Sequence, residues 1–326
     1  MSLTDDIPAV RTRQPPPPLT GSMEHYACGV AIKRAVIKTP QSIIDELVTL
    51  RDLQLSKEYD FDGDVATHKH SGIVYHNKRD ILEQPTRVHP HGRDGSIELS
   101  DFTVDDYWFE VDRLCYLAVL EYIQKYPTII TSLWWKNRGH VLVYEPRAFL
   151  SRHQDQDIGY TYDTRENVIG KHEISTRNVI STTMHIADCE GGEMYFPYAD
   201  LTVEAREGDI ILFPANYLGS HEITPVAEGN RRLSYLQFFG QGSMEALTSA
   251  EEGLAITEPR EGFIDPFMWC PTIRGDFLKY SSWTAEEVTS QYPAFGHEGT
   301  PKYSTSVFKD SQGLQVGGGS PTEGDT

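Results

Sequence analysis

Two histidines and an aspartate stand out by type and order. His153 and Asp155 lie in Ser151-Arg-His153-Gln-Asp155, and His221 comes much later, just before a β-like segment. Residues i and i+2 of a strand point to one face, so His153 and Asp155 can approach a single ion together. Two histidines and one carboxylate form the facial set that holds non-haem Fe(II) and leaves three positions open. The same set can hold Zn²⁺ with an open water position. A third feature is Gly229-Asn-Arg231-Arg232, at the start of an apolar strand. A guanidinium fork fits a carboxylate bidentately, so a dicarboxylic co-substrate suits it. Adjacent strand residues face opposite sides, so one of the two arginines points inward and the other outward. Each piece alone is commonplace, and their force lies in the combination.

The elements that must position these residues are mostly β. Short segments bounded by Gly, Pro, Asp or Asn recur after Arg138: His140–Glu145, Val179–Ala187, Gly192–Phe196, Asp209–Phe213 and Leu233–Phe239. Such spacing predicts a sandwich or barrel rather than βαβ units. Before it, Tyr26–Val36 reads as a strand. Thr39-Pro40 reads as the N-cap and first position of a helix that buries Ile43, Ile44, Leu47 and Leu50. Residues 58–100 read as a polar excursion with short strands, and a second, core-packing helix runs from near Thr103 to about Tyr126. Residues 241–310 read as helix and loop packed on the β core.

The chain has 326 residues and a formal net charge of −19. That field repels phosphate backbones and anionic lipid, so neither nucleic acid nor a membrane surface is an expected partner. Four cysteines without a CxxC pair, and no leader-like start, fit a soluble protein of a reducing compartment, the cytoplasm. Oligomeric state is not legible. Residues 1–22, with Pro15 to Pro18, read as a proline-rich arm, and 311–326 as a flexible tail. They flank one catalytic domain over 23–310.

The longer text around the candidate ligands carries more. Val141-Leu-Val-Tyr144 precedes His153-Gln-Asp155, and Glu190-Gly191-Gly192-Glu193-Met-Tyr-Phe196-Pro197 and Gly208-Asp209-Ile-Ile-Leu-Phe213 follow it. His221-Glu-Ile-Thr-Pro225-Val226-Ala-Glu-Gly229-Asn-Arg231 closes the set. Over about residues 138–240 this resembles the prolyl 4-hydroxylase-like branch of the 2-oxoglutarate/Fe(II)-dependent dioxygenases. The resemblance implies a mainly β fold with flanking helices, built on a double-stranded β-helix or jelly roll. A helical part over 23–137 and an extension over 241–310 would flank that core. It implies that His153, Asp155 and His221 bind iron, and that Arg231 with Tyr144 holds the distal carboxylate of 2-oxoglutarate. The ten-residue step from His221 favours Arg231, while Arg232-Leu-Ser234 matches the R-x-S signature of a sister branch. Met194 stands where the family often has Thr. A carboxylate at 155, rather than a small residue, points to hydroxylation instead of halogenation.

The implied cofactors are Fe(II), 2-oxoglutarate and O₂, with ascorbate in support. The implied products are succinate, CO₂ and a hydroxylated substrate. No side chain is expected to serve as an acid, base or nucleophile, and a small-molecule substrate is favoured. The rivals are a jelly-roll binding protein without catalysis, a zinc hydrolase and a prolyl or protein hydroxylase. The pairs His68/His70 and His89/His91 read as loop residues, His185 as a structural residue or a substrate contact, Trp134-Trp135 as core, and Gln156–Lys171 as a lid or a plain connection.

Overall fold

The computed structural model describes residues 19, 21–90, 106–133, 135–137, 139–156, 158–161, 174–241, 267–269 and 273. The readings of the proline-rich arm, the tail, Trp134, His91, most of the loop after Asp155 and most of 241–310 fall outside these residues.

The described chain starts with strands β1 (Glu24–His25) and β2 (Ala31–Lys33) and helix α1 (Gln41–Glu58). Strands β3 (Tyr59–Asp62), β4 (Val65–His68), β5 (Val74–Tyr75) and β6 (Thr86–Val88) follow, then helix α2 (Asp106–Lys125). The later strands are β7 (Trp135–Asn137), β8 (His140–Tyr144), β9 (Leu150–His153), β10 (Ile158–Thr161), β11 (Ile174–His185) and β12 (Met194–Phe196). They end with β13 (Leu201–Val203), β14 (Ile210–Pro214), β15 (His221–Ile223), β16 (Arg232–Gln241) and β17 (Phe267–Trp269).

Two antiparallel sheets form the jelly roll. The larger runs β1-β2-β14-β11-β16, with β8 and β7 both paired to β16. The smaller runs β13-β12-β15-β9. A separate three-stranded sheet, β3-β4-β5, accounts for the expected short strands of the polar excursion.

Alternation along the large sheet separates two cores. Val141 and Val143 of β8, Ile210 and Leu212 of β14, and Leu233, Tyr235 and Phe239 of β16 join the helices in one apolar cluster. Residues of opposite parity, among them Leu142 and Tyr144, Ile211 and Phe213, face Met194, Phe196 and Ile223 of the small sheet. Helix α2 covers the outer face with Trp108, Val111, Leu114, Cys115, Ala118 and Ile123, all buried. These positions recur at helical spacing and form the one apolar stripe expected of a core-packing helix.

Two local readings need correction. Tyr26–Val36 is not one strand: a turn at Cys28 (φ 56°) and Gly29 (φ 78°) folds it into the β1–β2 hairpin. Alternating apolar residues cannot reveal that reversal, because both arms lie in the same sheet. Thr39 does not cap α1. Its hydroxyl instead meets Tyr107 Oη at 2.8 Å and ties the helix entry to α2, while Pro40 occupies the cap position.

Lys33 is buried on β2, and its ammonium meets both Glu121 oxygens of α2 at 2.9 and 2.7 Å. Removing one partner of a buried pair strands the other charge. Glu121→Ala is therefore expected to lower unfolding free energy by about 3 kcal/mol in urea titration. A change within 0.5 kcal/mol would show that the pair does not hold α2 to the sheet.

Candidate active site

The small sheet brings the candidate ligands together. His221 opens β15 and pairs in register with His153, the last residue of β9. Their rings lie 4.4 Å apart, centroid to centroid. Asp155 falls beyond the end of β9, so strand parity does not place it, contrary to the expectation. Asn178 of β11 places it instead, by donating to the Asp155 carbonyl at 2.8 Å. One Asp155 oxygen then stands 3.4 Å from His153 Nε2. One ligand atom from each of the three residues falls within 4.8 Å of the others. Among the described residues this is the one such group of three or more His, Cys, Asp or Glu.

The tautomers suit a cation. His153 Nδ1 lies 2.8 Å from the Ser151 carbonyl and His221 Nδ1 3.0 Å from the Gly219 carbonyl. A carbonyl only accepts, so both Nδ1 atoms carry protons and both Nε2 lone pairs are free for a metal. Burial pushes the Asp155 carboxyl up, but the charges of His221 and His153 outweigh it and hold it below its usual value. Burial likewise lowers His221. In His153 the effect of burial is overcome by the Asp155 carboxylate, which raises it. Asp155 Oδ2 is buried with no hydrogen-bond partner, a costly state that a cation in the centre relieves. Phe213 and Phe196 stand against His221, at 4.8 and 5.6 Å between ring centroids, and wall that side with apolar surface.

The two arginines divide as strand parity demands, but not as the ten-residue spacing suggested. Arg231 turns outward: its side chain is 35% exposed and grips Glu145 with two bonds of 2.7 and 3.0 Å. Arg232 points inward, 1% exposed, on the same face of β16 as Ser234. Its register partner is Tyr144, and its guanidinium lies 4.9 Å from the centre of that ring. Nε and Nη2 of Arg232 are buried without partners. A buried cation with unmatched donors calls for an anion, and a carboxylate offers the matching fork.

The double glycine makes room for this group. A Cβ on Gly192 would sit 2.9 Å from Arg232 Cδ, and one on Gly191 2.6 Å from the Ala227 nitrogen. Both glycines have positive φ. Glu193, next in the motif, accepts the Thr224 hydroxyl in a short bond and so fastens this turn to β15. Met194 lies in the inter-sheet cluster with Tyr144. Gly192→Ala is expected to displace Arg232 and weaken binding of an anionic co-substrate, measured by calorimetry, by about tenfold at near-normal metal affinity. Unchanged co-substrate affinity would show that the glycine serves the turn alone.

Among the described residues, the histidine pairs do not join this centre. His68 and His70 stack edge-on at 5.9 Å on the small separate sheet, and Ser71 serves the His68 ring. His89 packs near His140. The side chain of Trp135 is outside the described residues.

Residues 139–240 match the family described as the 2OG-Fe(II) oxygenase superfamily. The chain is similar to that superfamily over this segment. Its span is the jelly roll just described, from β8 to β16, and it contains all three candidate ligands. The 2OG-Fe(II) oxygenases use Fe(II), 2-oxoglutarate and O₂. No curated protein matches the chain.

Solved structures similar to the chain include a Pseudomonas putida prolyl-4-hydroxylase, at 18% identity and TM-score 0.34, over 66% of this chain and 94% of that one. The viral collagen prolyl hydroxylase of Paramecium bursaria Chlorella virus-1, in its 2OG complex, aligns at 13% identity and TM-score 0.34, over 50% and 83%. A Trichoplax adhaerens prolyl hydroxylase in complex with a hypoxia inducible factor peptide fragment aligns at 12% identity and TM-score 0.35, over 66% and 84%.

Proposed function

We propose that this oxygenase hydroxylates an unactivated C–H bond of a small molecule, with His153, Asp155 and His221 holding iron and Arg232 holding the distal carboxylate of 2-oxoglutarate. The observation that carries the reading is the pairing of two features on one inter-sheet space. Two imidazoles and a carboxylate converge, and a buried guanidinium with unmatched donors lies near enough for its charge to act on His221. A zinc hydrolase would need only the first. A binding protein without catalysis would need neither.

In this reading His153 and His221 bind through Nε2, each kept in the right tautomer by a backbone carbonyl. Asp155 supplies the negative charge that favours a divalent cation. Arg232 neutralises the distal carboxylate, and Tyr144 forms the face against which the guanidinium rests. Phe196 and Phe213 keep water from the His221 side. When bound, iron and 2-oxoglutarate supply the oxidation: O₂ is consumed, the 2-oxo acid becomes succinate and CO₂, and the substrate gains one oxygen atom.

Arg231 is then an anchor rather than a co-substrate ligand. Glu145 joins it to Arg51 of α1, whose Nε lies 3.7 Å from the same carboxylate.

The small-molecule assignment rests on the elements that lie outside the jelly roll. The chain outside the jelly roll exceeds what iron and 2-oxoglutarate require, and we assign a dedicated pocket to the part of it other than helices α1 and α2, which pack on the outer face of the large sheet. Three free thiols, Cys28, Cys115 and Cys189, support a cytoplasmic setting. Among the described residues no helix is long and apolar enough to cross a membrane.

The test is incubation with fractionated metabolites, Fe(II), 2-oxoglutarate and ascorbate, with and without O₂. A metabolite that gains one oxygen only with O₂ and 2-oxoglutarate is the expected result. Oxygen gain confined to proline-containing peptides would overturn the small-molecule assignment and leave the oxygenase chemistry intact.

A further inference from the structure

Two aromatic side chains that the reading above does not use stand open to solvent. Tyr198 and Tyr217 are 60% and 61% exposed, more than any other large apolar side chain among the described residues. Single exposed apolar residues are ordinary on a protein surface. These two are not single: their rings lie 6.4 Å apart, centroid to centroid, at an interplanar angle of 87°. They come from separate turns, one between β12 and β13 and the other between β14 and β15. Both turns lie at the metal end of the small sheet. Tyr198 follows Phe196 by two residues, and the Phe196 ring stands against His221. Tyr217 precedes His221 by four. Its carbonyl accepts the amide and the hydroxyl of Ser220, the residue next to that ligand, at 3.1 and 2.7 Å.

The backbone holds both turns firmly. Asn216 Oδ1 accepts the Leu218 amide at 3.0 Å. Gly219 is packed so closely that a Cβ there would sit 1.9 Å from the Pro214 carbonyl oxygen. In the other turn, the Cys28 thiol donates to the Tyr198 carbonyl at 3.3 Å, and the Ala199 amide to the Phe196 carbonyl at 3.2 Å. Cys28 (φ 56°) and Asp200 (φ 47°) both take a left-handed backbone that a side chain disfavours. Residues strained in this way persist where their surroundings fix them, and they cluster at ligand sites. Two perpendicular rings form a corner. Aromatic rings prefer offset-stacked or edge-to-face contact, so a planar ring stacked on one tyrosine turns its edge to the other and makes both contacts at once. A puckered, saturated ring of the same size makes neither.

We propose that Tyr198 and Tyr217 form the substrate platform, and that the small molecule oxidised at this centre carries a planar aromatic or heteroaromatic ring seated in their corner. The inference rests on the reading in which His153, Asp155 and His221 hold iron, and it names the substrate class for that reading. Recognition falls to two fixed rings, and oxidation to the metal centre beside them. Surface tyrosines without a ligand would bind no such ring near the metal.

The test uses the full chain loaded anaerobically with Mn(II) and 2-oxoglutarate, and two neutral probes of similar size. 2-Naphthalenemethanol is planar, and decahydro-2-naphthalenemethanol is its puckered, saturated counterpart. Binding is read from the proton NMR signals of the probe, which bound Mn(II) broadens only when the probe comes near it. The planar probe is expected to be broadened and to bind about fivefold more tightly than the saturated one. Tyr198→Leu and Tyr217→Leu are each expected to weaken the planar probe about fivefold, with Mn(II) affinity unchanged. Tyr198→Phe and Tyr217→Phe, which keep the rings, are expected within about twofold of the parent. Both side chains are largely exposed, so the variants are expected to fold, and the comparison of the two probes on the parent stands without them. Equal binding of the two probes, parental affinity in both leucine variants, or tyrosine-dependent binding without Mn(II) broadening overturns the proposal. If the parent retains neither Mn(II) nor 2-oxoglutarate, the reading of the centre falls first and this inference falls with it.

Discussion

His221→Ala is expected to abolish Fe(II) retention and 2-oxoglutarate turnover together. His221 is buried and supplies one of only three ligand atoms. Loss of a group that merely orients a ligand typically costs 10–100-fold in metal affinity, so loss of the ligand itself should exceed roughly 100-fold. His153→Ala is expected to do the same. Replacement should not unfold the protein, because β15 stays paired to β12 through Met194 and Ile223. Metal content after anaerobic reconstitution, with circular dichroism as a control, checks this. A folded His221→Ala protein that kept near-parental iron and turnover would remove the histidines from the site.

Arg232→Ala is expected to raise the dissociation constant for 2-oxoglutarate by one to two orders of magnitude, since a bond to a charged group contributes about 1.5–3 kcal/mol. Arg231→Ala is expected to change it less than about twofold, because its two bonds end on Glu145 at the outer surface and exposed pairs contribute about 0–1 kcal/mol. Calorimetry of the two variants side by side decides the register. The opposite ranking would return Arg231 to the pocket and require β16 to be turned over.

These two experiments mark where the sequence was legible and where it was not. That His153, Asp155 and His221 form one cluster could be read because their types are rare together and their order matches a chemical need. The core-facing positions of α2 could be read because a 3.6-residue period exposes one apolar stripe. The arginine could not be settled, because Arg232-Leu-Ser-Tyr-Leu-Gln-Phe-Phe is apolar at both parities: Leu233 and Tyr235 face the helices, while Leu236 and Phe238 lie on the other parity. A strand buried on both faces carries no alternation to fix its register. Spacing from His221 then pointed to Arg231, whereas the inward-facing residue is Arg232. Ser234, polar and fully buried two residues after Arg232, was the local sign of the inner face.

Asp155 teaches a related point. Its convergence with His153 looked like strand geometry, yet β9 ends at His153, and a distant residue, Asn178, sets the turn. Local spacing brought Asp155 to the cluster for a reason that the fold does not use. The β1–β2 reversal at Cys28-Gly29 was hidden likewise, because the turn interrupts a pattern that reads the same on both arms.

The central claim is that iron and 2-oxoglutarate act together in the space between His221 and Arg232. The most direct measurement is O₂ uptake by the Fe(II)-reconstituted protein with 2-oxoglutarate and ascorbate, with succinate quantified in the same vessel. The account predicts uptake that requires both Fe(II) and 2-oxoglutarate, about one succinate per O₂, and loss of both signals when Zn²⁺ replaces Fe(II). Absence of succinate, together with O₂-independent hydrolytic activity restored by Zn²⁺, would contradict it.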